Sequence, residues 1–472
     1  MSQPSLDRAI GLPAATLLVI GGIVGSGIFL TTGIMAASLP SVPLLMLAWL
    51  AGGLFALAGA LTYAELGAMF PRAGGVYVYL HEEFGALPAF LYGWTMLLVA
   101  LCGGCAAVAV GFADYLSHFC PALGVDRVLV AMPLGSVVWR ISAGQVVAVA
   151  SLVFLGAVNY VGVRSGSATN AVLTTAKILG LAILPVAAVI TVRHALLATG
   201  VWSMDVSLPG ASPAAAFGVA MIAVLWANDG YYFLTYAAGE VRDPKRNLPR
   251  ALIYGLLGVM AIYLVVNLAY FAALPMDQIA GTSRIAERAA TAMMGPTGAT
   301  IVALTVVVST FGCNAAAILA SSRLLYAMAA DGLFFRSAGT VHPRYHSPHV
   351  AIVLVTVWSS FLALSGTYEQ LFTYVVFTSV LFSLFGGLAL FWLRRARPGA
   401  ERPYRVWGYP IVPALFMAGS VFVIVNTLQA RPVESIAGLA LLAIGLPVFY
   451  YWRRTLPGTT GTSGTSGTTG ER

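Results

Sequence analysis

Twelve apolar stretches follow one another along this 472-residue chain, centred near positions 26, 55, 100, 150, 180, 225, 262, 310, 357, 382, 418 and 443. Each is long enough for a crossing of the bilayer, at about 20 residues per span. In hydrocarbon a lone segment satisfies its own N–H and C=O groups only by coiling into a helix. The expected fold is therefore all-α: a polytopic membrane protein with 12 transmembrane helices. With 59% apolar and 9% charged residues, the chain has too little polar surface to cover a soluble globule.

Orientation is read from the basic residues, which resist translocation. If both termini are cytoplasmic, 18 of the 25 Lys and Arg residues fall inside, 6 fall outside, and the last is Lys177 within a span. The formal charge of +8 is then a topology signal facing an anionic lipid leaflet, and no nucleic-acid partner is called for. The expected location is the inner or plasma membrane. The opening residues are short and polar and lack a small-residue cleavage site, so no cleaved signal peptide is expected. Pro457 to Gly470 repeats Gly, Thr and Ser with nothing apolar to bury, and is expected to be disordered. Cys102, Cys105, Cys120 and Cys313 make neither a disulfide framework nor a metal cluster; Cys102 and Cys105, one turn apart, read as packing residues.

Two spans are interrupted. Gly21-Gly22-Ile23-Val24-Gly25-Ser26-Gly27-Ile28-Phe29 breaks the first, and Trp226-Ala227-Asn228-Asp229-Gly230 breaks the sixth. Backbone unwound at bilayer depth loses several kcal/mol per unpaired group unless it lines a cavity or binds something. Transporters use paired breaks of this kind to hold substrate. The Gly25, Ser26 and Gly27 amides open a half-helix whose positive end suits a carboxylate. The carbonyls of Ile23, Val24, Trp226 and Ala227 form a negative end suited to an ammonium, so an amino acid would satisfy both. For Gly21 and Gly22, close packing accounts for the glycines equally well. Trp226 is a candidate gate, or a large filler. Asp229 is read first as an N-cap of the following half-helix and second as a substrate contact.

Lys177 lies about ten residues from either end of its span, too deep to snorkel easily. Its ammonium must find carbonyl partners or give up its proton, which makes it either a fixed substitute for a bound cation or a coupling group. In the eighth span Ser309, Thr310, Cys313 and Asn314 share one helical sector and are candidates to meet Lys177 or substrate. Hydroxyls bonding back onto their own helix are the plainer alternative.

The broken spans divide the chain into a cytoplasmic start at 1–13, a first repeat at 14–192 (helices one to five), an inverted second repeat at 193–395 (six to ten), two further helices at 396–454 and a tail at 455–472. Pro71 to Gly85 reads as an interfacial loop with a short helix, and Glu240 to Arg250 as a rigid turn in which the seventh helix starts near Pro249.

The run Gly21 to Phe29, the loop Pro71 to Gly85, the stretch Asn228 to Arg250, Ser321 to Tyr326 and Arg402-Pro403-Tyr404 together resemble the amino acid, polyamine and organocation superfamily. Within it they are most similar to the L-type amino acid transporters and their bacterial relatives, from about residue 8 to 454. The resemblance implies a five-plus-five inverted repeat, alternating access, and a neutral amino acid held between helices one and six. By position, the Ser26 and Gly27 amides would take its carboxylate and the Ile23 and Trp226 carbonyls its amino group. Lys177 matches a fifth-helix lysine standing where related transporters bind sodium, which argues against sodium coupling. Bacterial relatives often carry Tyr-Asp-Gly-Trp where this chain has Asn228-Asp229-Gly230-Tyr231. Cys120 falls in the loop where animal light chains bond an accessory glycoprotein, yet this chain is expected to work without an accessory subunit.

The expected function is sodium-independent exchange of neutral L-amino acids, with no chemical conversion, cofactor or metal; the alternative is a proton-coupled symporter of amino acids, cationic amino acids or polyamines. An enzyme would need convergent His, Asp or Cys groups within the membrane, whereas the six histidines fall at span ends or in loops. A channel fits two broken helices less well.

Overall fold

The computed structural model describes residues 8–134, 137–161, 163–191, 213–365 and 368–455. The expected tail and the boundary between the two repeats lie outside them. The first apolar stretch splits into α1 (Leu12–Ile23) and α2 (Gly27–Ser38), followed by α3 (Val42–Met69) and the short α4 (Val76–Phe84). Proline at the first turn starts α1 and α3, where its missing N–H has no intrahelical acceptor to lose. The third stretch is α5 (Ala86–Thr95) running through a wide π turn, Met96–Leu101, into α6 (Cys102–Leu116).

A hairpin of β1 (Val128–Leu134) and β2 (Val137–Ser142) follows, antiparallel, with Ala131 opposite Arg140. This is the one strand pair among the described residues, and the fold is all-α as expected. Ser142 then starts α7 (Ala143–Tyr160) with a capping box, its hydroxyl accepting from the Gln145 N–H while the Gln145 side chain accepts from the Ser142 N–H.

Next come α8 (Val163–Thr191), α9 (Pro213–Asn228), the single turn α10 (Phe233–Tyr236), α11 (Pro244–Ala273) and the short α12 (Met276–Ile279). Pro249 lies inside α11, which begins five residues earlier than expected, at Pro244 behind Asp243. α13 (Ile285–Ala330) is bent at Gly295, whose φ of 69° is open only to glycine at low cost, so it divides there into two helices. α14 (His349–Ala363), α15 (Tyr368–Ala396), α16 (Ile411–Ala430) and α17 (Pro432–Thr455) complete the chain.

Among the described residues, ten helical stretches are long and apolar enough to cross a membrane, and the shorter Pro213–Asn228 and His349–Ala363 are apolar too. Together they fall on the twelve apolar stretches of the sequence. The Leu12–Ser38 stretch is 89% buried and the Ser435–Arg453 stretch 22%. The broken first span thus lies in the middle of the bundle together with the equally buried Ala86–Leu116 stretch, while α17 presents its apolar side outward, as lipid solvation permits. α4 is drawn further in than an interfacial helix: Val76 through Leu80 are buried, and the Tyr77 hydroxyl donates to Asp331 Oδ2 at 3.0 Å.

Candidate functional site

The two breaks lie against each other. α1 ends at Ile23, α2 begins at Gly27, and α9 ends at Asn228. A Cβ on Gly27 would meet Ala227 Cα at 2.5 Å, and one on Gly230, already at φ 90°, would meet the Gly22 carbonyl oxygen at 2.7 Å. Only glycine lets these backbones approach so closely. Gly27→Ala is therefore expected to pry α2 from α9 and lower stability by about 1–3 kcal/mol, the usual cost of overpacking. A melting temperature equal to the unsubstituted protein's would refute this contact. Gly21 serves packing and site alike: a Cβ there would strike Thr174 and Asn170 of α8, and its carbonyl is used below.

Lys177 is fully buried on α8. Its Nζ donates to the carbonyls of Val24 at 2.6 Å, Ser309 at 3.0 Å and Gly21 at 3.1 Å. An ammonium has three donors, and here each has its own acceptor. Ser309 Oγ faces the Val24 and Gly25 carbonyls at 3.1 and 3.2 Å, so lysine and serine together close the unwound end of α1. Thr310 instead bonds back to Val306 O, and Asn314 is buried with no partner for its Oδ1 among the described residues. Of the four polar groups on α13, Ser309 and Cys313 reach the break, the Cys313 thiol lying 3.2 Å from Gly22 O.

A cavity lies beside the breaks, lined by Gly22, Ile23, Gly25, Ser26, Gly27, Trp226, Asp229 and Phe233, with Cys313 and Ala317 of α13. Its far wall is Ala100, Leu101, Gly104, Cys105 and Val108, on and just after the π turn. Cys105, read from the sequence as a packing residue, thus faces the cavity. Such a turn widens the helix and is often found at functional sites. α2 carries no acidic residue in its first turn, so its positive end at the cavity has no carboxylate of that turn against it. Trp226 stacks on Phe372 of α15 at 5.8 Å and closes one side. Asp229 does not cap α10, whose N-cap is Tyr232; its Oδ2 accepts from the Tyr232 hydroxyl at 3.2 Å.

Sequence reasoning missed Tyr263. From α11 its hydroxyl reaches Ala227 O at 2.9 Å and Ile23 O at 3.2 Å, one carbonyl from each break. The Trp226 carbonyl accepts from the Asp229 N–H at 3.2 Å. All four carbonyls expected to face a substrate ammonium therefore accept from the protein as well. The signal was present as a stripe: Asn267, one turn on, accepts from Thr32 Oγ1 at 2.7 Å, and Tyr270 reaches Ile28 O at 3.3 Å. A tyrosine, an asparagine and a tyrosine at spacings of four and three form one polar face in an apolar helix. Tyr263→Phe is expected to weaken transport by about 1–2 kcal/mol, roughly tenfold, because it removes one donor shared by two buried carbonyls. Unchanged uptake by this variant would show that the contact is incidental.

At the end of the bundle that carries the amino terminus, the Arg323 guanidinium and Glu240 carboxylate pair at 2.8 Å, both essentially buried. Ile10, just before α1, pairs with Val241 just after α10: its N–H donates to Glu240 O and its carbonyl accepts from Arg242 N. At the opposite end Arg284 holds Asp114 at 2.7 Å.

The sequence of this chain has relatives among known proteins. The serine/threonine exchanger SteT of Bacillus subtilis is 31% identical over 452 residues, covering 94% of this chain and 97% of that protein. The b(0,+)-type amino acid transporter 1 of Homo sapiens is 30% identical, over 95% of this chain and 88% of its own length. The human large neutral amino acids transporter small subunit 2 is 28% identical over 95% and 82%. A family model described as amino acid permease matches residues 10–449, which takes in both breaks, Lys177 and the cavity. The chain belongs to the amino acid permease family, within the amino acid, polyamine and organocation superfamily of membrane transporters related to the L-type transporters.

Proposed function

We propose that this protein exchanges neutral L-amino acids across the membrane by alternating access, without sodium. One observation carries the reading: the unwound end of α1 is already held by an internal cation, Lys177, on three carbonyls. A site whose oxygen ligands are taken by an ammonium has no need of a bound metal ion. The Ser26 and Gly27 amides at the positive end of α2 would receive the substrate carboxylate, and the carbonyls of Ile23, Val24, Trp226 and Ala227 offer remaining lone pairs to its ammonium. Trp226, on Phe372, would be the gate; Ser309 would support Lys177, and Cys313 would face the substrate. Thr310 and Asn314 contribute to the packing of α13 behind the site. The name of SteT supports exchange, and those of the b(0,+)-type and large neutral amino acids transporters support amino acids as the cargo.

The two breaks support an inverted repeat of 14–192 and 193–395, with α16 and α17 outside it. We assign both termini to the cytoplasm from the distribution of basic residues. Cys120 is exposed while Cys102, Cys105 and Cys313 are buried, so an impermeant maleimide applied to intact cells is expected to label Cys120 alone. Labelling only after lysis would invert the topology. We also expect transport by the purified chain with no accessory subunit.

A second reading, proton-coupled uptake of cationic amino acids or polyamines, draws on Asp229, whose carboxylate lines the cavity. Radiolabel uptake into proteoliposomes separates the two. Uptake that requires internal neutral amino acid and is equal in sodium and choline buffers supports exchange. Uptake into empty vesicles driven by an inward proton gradient and inhibited by arginine supports the second.

A further inference from the structure

We propose that a basic groove at the end of α15 binds the phosphate headgroup of an anionic phospholipid. The groove lies at the junction of α15 and the segment leading to α16. Four guanidiniums line it: Arg394 and Arg395 from the last turn of α15, and Arg402 and Arg405 from the segment that follows. Two of them share one carboxylate. The fully buried Glu65 of α3 takes Arg394 at 2.6 Å and Arg402 at 3.4 Å, and accepts from the Val406 N–H at 2.7 Å. Arg395 and Arg405 face the groove with no carboxylate within ion-pair distance among the described residues. The other carboxylates nearby are engaged elsewhere, Glu82 and Glu83 with Arg397 and Glu401 with Lys245. One acid against four bases leaves a site of positive charge built by two separate elements.

The remaining walls identify the source of the anion. Trp392 is 55% exposed and Leu388, one turn before it, 40%, so the groove continues into the outward apolar face of α15. Tyr409 stacks under Arg394, whose Cζ lies 3.8 Å above the ring. Tryptophan and tyrosine at a helix end, level with arginines and next to exposed leucine, mark headgroup depth. A free phosphate would meet the arginines and leave the apolar wall unused. A phospholipid matches both, with phosphate on Arg395 and Arg405 and acyl chain along Leu388. Basic pockets between helix ends recognise such headgroups in this way. This inference stands apart from what the chain transports.

Native mass spectrometry of the detergent-purified full chain tests it, with phosphatidylglycerol and phosphatidylcholine added in equal amounts. The unsubstituted protein is expected to retain phosphatidylglycerol preferentially, and Arg395→Gln/Arg405→Gln to lose at least about tenfold of that retention, given the contribution of each basic residue. Arg336→Gln/Arg344→Gln, which removes two exposed arginines outside the groove, is expected to retain it. Both variants alter exposed side chains, and a melting curve verifies that each is folded. Equal phosphatidylglycerol retention by the groove variant and the unsubstituted protein would overturn the proposal. So would its displacement by inorganic phosphate at matched concentration, which would make the groove a site for the free anion.

Discussion

Lys177→Met is expected to abolish exchange. The substitution keeps the length of the side chain but removes the charge that three buried carbonyls share. Hydrogen bonds to a charged group contribute about 1.5–3 kcal/mol each, so losing even two of them lowers the population of the assembled break at least about 100-fold. Lys177→Arg should not rescue it: three carbonyls converge on the single point occupied by Nζ, whereas a guanidinium spreads its donors over a planar fork. Lys177→Ala opens a space lined by the same carbonyls and the Ser309 hydroxyl, an oxygen-rich pocket suited to a hard cation. Uptake by this variant, measured in sodium and in choline, should be partly restored by sodium alone if the lysine stands in for a bound cation. Near-normal exchange by Lys177→Met would show that the ammonium is only a packing device and remove the main support for sodium independence.

Arg323→Met is expected to be the most damaging substitution at the end of the bundle carrying the amino terminus. Glu240 is fully buried, and its Oε1 takes the arginine Nε at 2.8 Å. The same guanidinium donates to Ser322 Oγ and Leu319 O, so it is held on several sides. Removing one partner of a buried pair leaves an uncompensated charge, at a cost of about 3–5 kcal/mol. Removing both exchanges the pair for apolar contacts and is often neutral. The double variant Arg323→Met/Glu240→Met should therefore recover most of the melting temperature that Arg323→Met loses. It should not recover transport if the pair fixes the segment after α10 against α13 in one state of the transport cycle, because the switch between states needs a contact that forms in one of them. A single variant as stable as the unsubstituted protein would mean that the pair is already solvated in solution.

The class of fold was legible because it rests on local properties. Apolar runs of span length must be helical in lipid whatever their neighbours do, and the glycine-rich break at Gly25-Ser26-Gly27 announced itself by removing side chains where a span should have them. Lys177 was legible for a related reason: a lone ammonium so deep in an apolar segment demands partners, although the sequence does not name them. Errors arose where local signals were ambiguous. Pro249 looked like a helix start, yet proline is tolerated within the opening turns of α11 once Pro244 has begun it. Asp229 beside Gly230 looked like a cap, yet the chain turns again before α10 and leaves the carboxylate at the cavity.

What only the tertiary structure decided is which groups meet. Tyr263 links Ile23 to Ala227 across more than two hundred residues, Lys177 joins α1 to α13, and Glu65 gathers Arg394 and Arg402. None of these pairings follows from spacing, because each depends on how separate helices lie against one another. The sequence by itself determined that the chain spans a membrane, that its first and sixth spans are interrupted, and that a buried lysine needed acceptors. Burial of backbone polar groups in hydrocarbon is a constraint each segment meets alone, whereas the choice of partner for each released carbonyl is settled by packing between segments.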